Sequence, residues 1–173
     1  NPKEKGLPHL VIAPTSLMFN WMAELKKFAP TLKVLDYIGP NRGDLFKNID
    51  DYDIVLTTYG SIVKDVEKHA KREYNYIILD ESQAIKNPQS QRFKAVRLLK
   101  GKNRLALTGT PIENNTFDLY SQFSFLNPGI FGSIKHFKST FSEEIDKNQD
   151  QETSDLLARM IHPFILRRTK EQV

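Results

Sequence analysis

The stretch YIILDESQAIKN, residues 76–87, decides the fold. Tyr76 to Leu79 form an apolar, β-prone run, and Asp80 and Glu81 follow it without a spacer. Two readings meet here. Strands must end, and acids are common just past strand ends and at helix N-caps. Alternatively, a strand delivers two carboxylates to the carboxyl edge of an open α/β sheet, where ligands bind. Adjacent carboxylates there divide the work: one holds Mg²⁺, usually through water, and the other handles an attacking water.

The surrounding sequence favours the second reading. Short runs rich in Val, Ile and Leu recur at HLVIA (9–13), LKVLDYI (32–38), DIVLTT (53–58), YIILD (76–80) and RLALT (104–108). Several are apolar on both alternating faces, as strands covered on both sides are. Helical patterns lie between most of them. In SLMFNWMAELKKF (16–28), Leu17, Trp21, Leu25 and Phe28 mark one helix face, with Ser16 as N-cap. Residues 61–72 and 90–100 are further helix candidates, and the link from Ile38 to Asp53 holds at most a helical turn. Such alternation predicts an α/β fold, a parallel sheet with helices on both faces.

Each predicted strand ends in small polar or acidic residues. Pro14-Thr15-Ser16 follows the first, Thr57-Thr58-Tyr59-Gly60 the third, Asp80-Glu81-Ser82-Gln83 the fourth and Thr108-Gly109-Thr110-Pro111 the fifth. A parallel sheet places all of them along one edge, where together they make a site. Carboxylates and hydroxyls without a nearby His suit Mg²⁺ and phosphate better than zinc. The four His residues show no ligand spacing and read as surface or boundary residues. No nucleophile elbow occurs. The glycine-rich phosphate loop G-x-x-x-x-G-K-[ST] is also absent from the 173 residues.

After Pro111 the pattern turns helical, over residues 116–128, 133–145 and 152–164, with the polar run 146–153 reading as a mobile loop. Phe117, Tyr120, Phe123 and Phe125 read as a helix-packing cluster. Hydrophobic content of 39% and charged content of 27% are those of a globular protein. No run approaches the roughly 20 apolar residues of a membrane span, and no signal-peptide pattern opens the chain. The lack of Cys excludes disulfides and thiolate chemistry and suits a reducing interior, cytoplasmic or nuclear. A net charge of +4 favours an anionic partner. The opening NPKEKGLPHL, without Met, reads as cut from something longer.

The segments LVIAPTSLMFNW (10–21), VLTTYGSI (55–62), YIILDESQAIKN (76–87) and LALTGTPIENN (105–115) occur in an order and spacing that resemble motifs Ia, Ib, II and III of the Swi/Snf-type ATPases of helicase superfamily two. PFILRRTKEQV (163–173) is similar to the segment that closes that family's first motor lobe. DESQ is a variant of the more usual DEAH or DEAQ box, and Ser82 is not expected to alter the chemistry. The resemblance implies a RecA-like, three-layer lobe over 1–115, a helical protrusion over 116–162 and a closing segment over 163–173. It implies ATP and Mg²⁺ as cofactors and double-stranded DNA as partner, with a DNA-bound protein complex as the target of remodelling. Asp80 would hold Mg²⁺ through water and Glu81 would orient the attacking water, with Gln83 beside them. Thr108, Gly109 and Thr110 would face the nucleotide. Pro14, Thr15, Ser16, Thr57, Thr58, Tyr59 and Lys86 would meet the DNA backbone.

The chain departs from that family in lacking motif I and the second motor lobe, so by itself it is expected to be inactive. Two functions stay open: part of a DNA-translocating ATPase, or a non-catalytic DNA- or protein-docking module on the same fold. The basic residues Lys86, Arg92, Lys94, Arg97, Lys100, Lys102 and Arg104 form either a solvated face or a phosphate-facing strip. Trp21 reads as sheet-packing rather than base-stacking.

Overall fold

The five apolar runs become five parallel strands in the computed structural model, which describes residues 6–109 and 116–168. They are β1 (His9–Ala13), β2 (Val34–Tyr37), β3 (Ile54–Thr58), β4 (Glu73–Leu79) and β5 (Lys100–Ala106), in the order β2-β3-β1-β4-β5. Every pairing is parallel. The central strands carry the apolar sequence: β3 is buried at all five positions, and β1 from Leu10 to Ala13.

β4 and β5 start earlier than their apolar runs, because Glu73 pairs with Lys100 and Tyr74 with Gly101. Backbone pairing rather than side-chain burial extends them. Lys100 and Lys102 place charge on β5, the last strand in the order of the described sheet. The helix before it, α4 (Gln91–Leu98), stops correspondingly short.

Helices cover both sheet faces. α1 (Met18–Phe28) packs Met18, Trp21, Met22 and Leu25 on the face that presents Val11, Ala13, Ile54 and Leu56. Phe28, expected on this stripe, is exposed, and the buried stripe is rotated toward Met18 and Met22. On the other face, α3 (Tyr59–His69) and α4 bury Ile62, Phe93 and Val96 against Leu10, Ile12 and Val55. The Ile38–Asp53 link holds α2 (Arg42–Lys47) and a 3-10 turn whose Ile49 is fully buried. Arg42 and Tyr37 both donate to Asp65 of α3, at 2.7 and 3.1 Å, and fix this corner.

The helical part comprises α5 (Thr116–Leu126), α6 (Ile134–Phe137), a π-helical stretch Lys138–Lys147 and α7 (Gln151–Ile161). The polar run expected to be a loop is largely helical. Asp150 accepts from the Thr153 N–H at 2.9 Å and caps α7. Tyr120, Phe123, Phe131, Phe137 and Phe141 form an aromatic cluster continuous with the sheet core. No described helix is long and apolar enough to cross a membrane.

The chain leaves β1 over one face and leaves β3 and β4 over the other. This divergence opens a crevice at the carboxyl ends of the central strands.

Candidate functional site

Backbone hydrogen bonds fix the strand ends to one another. The Asp80 N–H donates to Ile12 of β1 at 2.8 Å, the Leu107 N–H to Leu79 of β4 at 2.8 Å, and the Ser82 N–H to Leu107 at 2.9 Å. Asp80 therefore sits where β1, β4 and the chain after β5 are tied together. Glu81 then adopts φ of 49°, in the left-handed region. A non-glycine residue held there is strained, and such strain clusters at functional sites. The left-handed step reverses the chain into a 3-10 turn, Ser82–Ile85.

The side chains form a connected set. One Asp80 carboxylate oxygen accepts from the Glu81 N–H at 2.9 Å, and the other from the Trp21 indole N–H at 2.7 Å. The Tyr59 hydroxyl donates to the Asp80 carbonyl at 2.8 Å. Gln83 donates through its amide nitrogen to Glu81 at 2.5 Å and accepts from the Thr108 hydroxyl at 2.9 Å. Gln83 thus joins the cluster after β4 to the cluster after β5 through one planar amide. Burial, reinforced by the Asp80 charge, pushes the Tyr59 phenol upward, so it stays a donor. Ser82 is fully buried and donates to Gln122 of α5 at 2.9 Å; Ser121 of α5 donates to the Lys86 carbonyl at 2.9 Å. The turn after the carboxylates is thereby anchored to the helical part.

A cavity of about 320 Å³ opens beside this set, lined by Asp80, Thr108, Gly109, Gln122 and Phe164. A larger one, about 640 Å³, lies between Lys86, Phe117, Ile134, Lys135 and Lys138 and does not include the carboxylates. Among the described residues no three His, Cys, Asp or Glu side chains converge to hold a metal directly. That donor set fits Mg²⁺, which keeps several waters and is bound through one or two carboxylates plus substrate phosphates. Each Asp80 oxygen accepts one hydrogen bond and has a second lone pair for a metal-bound water.

The loops named from sequence divide into two groups. Thr15 and Ser16 are exposed and Pro14 is half-buried, and Lys86 is exposed. Thr57 is fully buried and donates to Tyr37, while Thr58 caps α3 by accepting from the Ser61 N–H. Tyr59 is 4% exposed. Gly109 is exposed, and Thr110 lies outside the described residues. In the basic run, Arg92 lies 5.9 Å from the Tyr59 ring and Arg97 5.5 Å from that of Phe93. Arg104 turns inward and donates to the carbonyls of Leu99 and Phe125, so it is no part of a phosphate strip. His69 is fully buried against Tyr74, not a surface or boundary residue.

Sequence reasoning missed the hydrogen bonds from Trp21 and Tyr59 to Asp80 and the role of Gln122. Trp21 packs on the sheet as expected, but its N–H ends at a carboxylate 59 residues away. Its place at the end of α1's buried stripe nearest the strand ends was the available signal.

Comparison with known proteins gives one consistent result. The model of the SNF2-related domain matches residues 1–173. The Bacillus subtilis protein YwqA, named as an ATP-dependent helicase/translocase, is 44% identical over 97% of this chain, which spans 19% of the length of YwqA. The TATA-binding protein-associated factor MOT1 of Saccharomyces cerevisiae is 40% identical over 99% of this chain and is matched over 10% of its own length. Among solved structures, the Sulfolobus solfataricus SWI2/SNF2 ATPase core in complex with dsDNA superposes with a TM-score of 0.88 at 48% identity. It covers 97% of this chain, and 35% of that chain is matched.

Proposed function

The chain belongs to the SNF2-related domain family, and on that premise we propose that it is part of an ATP-driven motor that translocates on double-stranded DNA and remodels complexes bound to it. The observation that carries this reading is the bridged set Asp80, Glu81, Gln83 and Thr108 at the carboxyl ends of β4 and β5.

Mg²⁺ bound with ATP supplies charge neutralisation of the phosphates and a template for their oxygens. Asp80 would hold that ion through water, its carboxylate already aimed by two N–H donors. Glu81 orients the attacking water and accepts its proton at a carboxylate oxygen. Gln83 fixes Glu81 and hands its position on to Thr108, which faces the nucleotide together with Gly109. A rigid strand end suits this task because phosphoryl transfer depends on positioning and electrostatics.

Toward DNA, Thr15, Ser16 and Lys86 offer exposed donors to backbone phosphate, a contact that positions without reading sequence. Thr57, Thr58 and Tyr59 serve mainly as the buried frame of their loop, which meets the duplex through its backbone. The phosphate-binding loop and the second motor lobe come from other parts of the polypeptide, and residues 116–162 form the protrusion of this lobe. Such a motor works where DNA is kept, in a bacterial cytoplasm or a nucleus.

The experiment is a phosphate-release assay on this chain and on the full-length protein that carries it, each with and without duplex DNA. Duplex-stimulated turnover is expected in the full-length protein and none in the chain alone. A full-length protein that binds duplex and does not hydrolyse ATP would favour a docking module instead.

A further inference from the structure

Asp80 has three hydrogen-bonded neighbours beyond the strand ladder, and two of them are aromatic side chains from elsewhere in the sequence. Trp21 comes from α1, which starts just after the Pro14–Ser16 loop at the end of β1. Tyr59 is the first residue of α3 and follows directly on Thr57 and Thr58 at the end of β3. These are the two loops assigned above to the DNA backbone. Their helices lie on opposite faces of the sheet, yet each sends one donor to the same residue: Trp21 to the carboxylate at 2.7 Å and Tyr59 to the carbonyl at 2.8 Å.

Neither donor is needed where it is for packing alone. The Trp21 ring is half-buried against the cluster that holds Val11 and Leu56, and that packing does not require its N–H to meet a carboxylate. Tyr59 is buried, with Arg92 over its ring, and only its hydroxyl reaches Asp80. In each case the polar tip of an aromatic ring is directed at the group that holds the metal, an arrangement that orients a ligand carboxylate and fixes its rotamer.

We propose that Trp21 and Tyr59 are positioning residues for Asp80 and that they tie the geometry of the metal-holding carboxylate to the two DNA-facing loops. Trp21 restrains the carboxylate plane; Tyr59 restrains the backbone from which it projects. A duplex that shifts or steadies either loop moves the donor attached to it, and so alters how well Asp80 receives Mg²⁺. The inference rests on the functional reading above, because it takes Asp80 as the metal-holding residue.

The test uses Trp21→Phe and Tyr59→Phe in the full-length protein, with Asp80→Asn beside them. Tyr59→Phe loses only the hydroxyl, whereas Trp21→Phe keeps a ring but loses the donor together with the second ring of the indole. Calorimetry measures nucleotide affinity with Mg²⁺ and with Mg²⁺ chelated, and a second titration measures duplex affinity with and without Mg²⁺-nucleotide. Loss of such an orienting partner lowers metal affinity by about 10-fold. Trp21→Phe is expected to weaken Mg²⁺-dependent nucleotide binding by about that factor, and Tyr59→Phe in the same direction. Metal-free nucleotide binding should be unchanged in both, which separates positioning from general damage to the fold. The mutual enhancement of duplex and Mg²⁺-nucleotide binding should shrink. If Trp21→Phe does not fold, Tyr59→Phe, on a different helix, decides the matter. Should Asp80→Asn leave Mg²⁺-dependent binding intact, the functional reading itself fails. If Asp80→Asn weakens it while the aromatic variants match wild type, or weaken metal-free binding equally, this inference is overturned.

Discussion

His69 makes stability depend on pH in a way that its surroundings fix. The ring is fully buried in α3, its Nδ1 is 2.6 Å from the Tyr74 hydroxyl, and its buried Nε2 has no hydrogen-bond partner among the described residues. The Tyr37 and Phe46 rings stand edge-on to it at 5.0 and 5.1 Å. Burial pushes its pKa down to about 4; Lys68 adds to the shift and Asp65 opposes it. The unfolded chain takes up a proton on this residue as pH falls through its ordinary value near 6.5, while the folded chain holds it neutral to about 4. Between those values the unfolded state binds more protons, so stability is complete above about pH 6.5 and drains as pH falls toward 4. The slope there approaches ~1.4 kcal/mol per pH unit, which gives a loss of about 2 kcal/mol between pH 7 and pH 5. Asp65, held low by its hydrogen bonds from Arg42 and Tyr37, loses its own contribution only below the ordinary carboxylate range, outside this window. Urea unfolding at the two pH values, for wild type and His69→Gln, measures the effect. The substitution has its own cost, so the quantity compared is the difference between pH values for each protein. Wild type should lose about 2 kcal/mol more than the variant. Equal pH dependence in the two proteins would refute the reasoning.

Two further outcomes follow from the site's construction. Ser82→Ala converts DESQ to the commoner DEAQ spelling and strips the Gln122 carbonyl of its buried donor; a loss of about 1–2 kcal/mol is expected in urea unfolding, with hydrolysis by the full-length protein unchanged, and an unaltered midpoint would contradict the structural role given to the pair. Duplex binding by the chain should be weak and independent of sequence, on the order of 10⁻⁴ to 10⁻⁶ M, and should fall steeply with salt in titrations of unrelated labelled duplexes, whereas tight, salt-insensitive binding to one sequence would count against backbone contacts.

The parallel sheet was legible because its central strands are buried on both sides and write that burial into uninterrupted apolar runs. Strand β5 was only half legible, since its first residues are Lys100, Gly101 and Lys102 and pair through backbone alone. The strand-end clusters could be placed along one sheet edge from sheet geometry, without any side-chain information. What could not be read was direction. Thr57 and Thr58 look like exposed hydroxyls in sequence, yet one is bonded to Tyr37 and the other caps α3. Arg104 sits in a basic run, yet its guanidinium closes on two carbonyls inside the fold. His69 has no sequence neighbour that marks it as buried; the packing of α2, β2 and β4 around it encloses it. Contacts such as Trp21 to Asp80 join residues 59 positions apart, and no local pattern carries them.

The central claim is that Glu81 orients the attacking water while Asp80 holds the metal. Glu81→Gln in the full-length protein keeps the shape and the reach of the side chain and removes its charge. Nucleotide affinity and duplex affinity should remain, and hydrolysis should fall by at least ~10²-fold, the scale of losing a general base. Asp80→Asn should instead weaken Mg²⁺-nucleotide binding and steepen the dependence of turnover on Mg²⁺. Hydrolysis by Glu81→Gln at the wild-type rate would contradict the assignment and, with it, the reading of this strand end as a catalytic site.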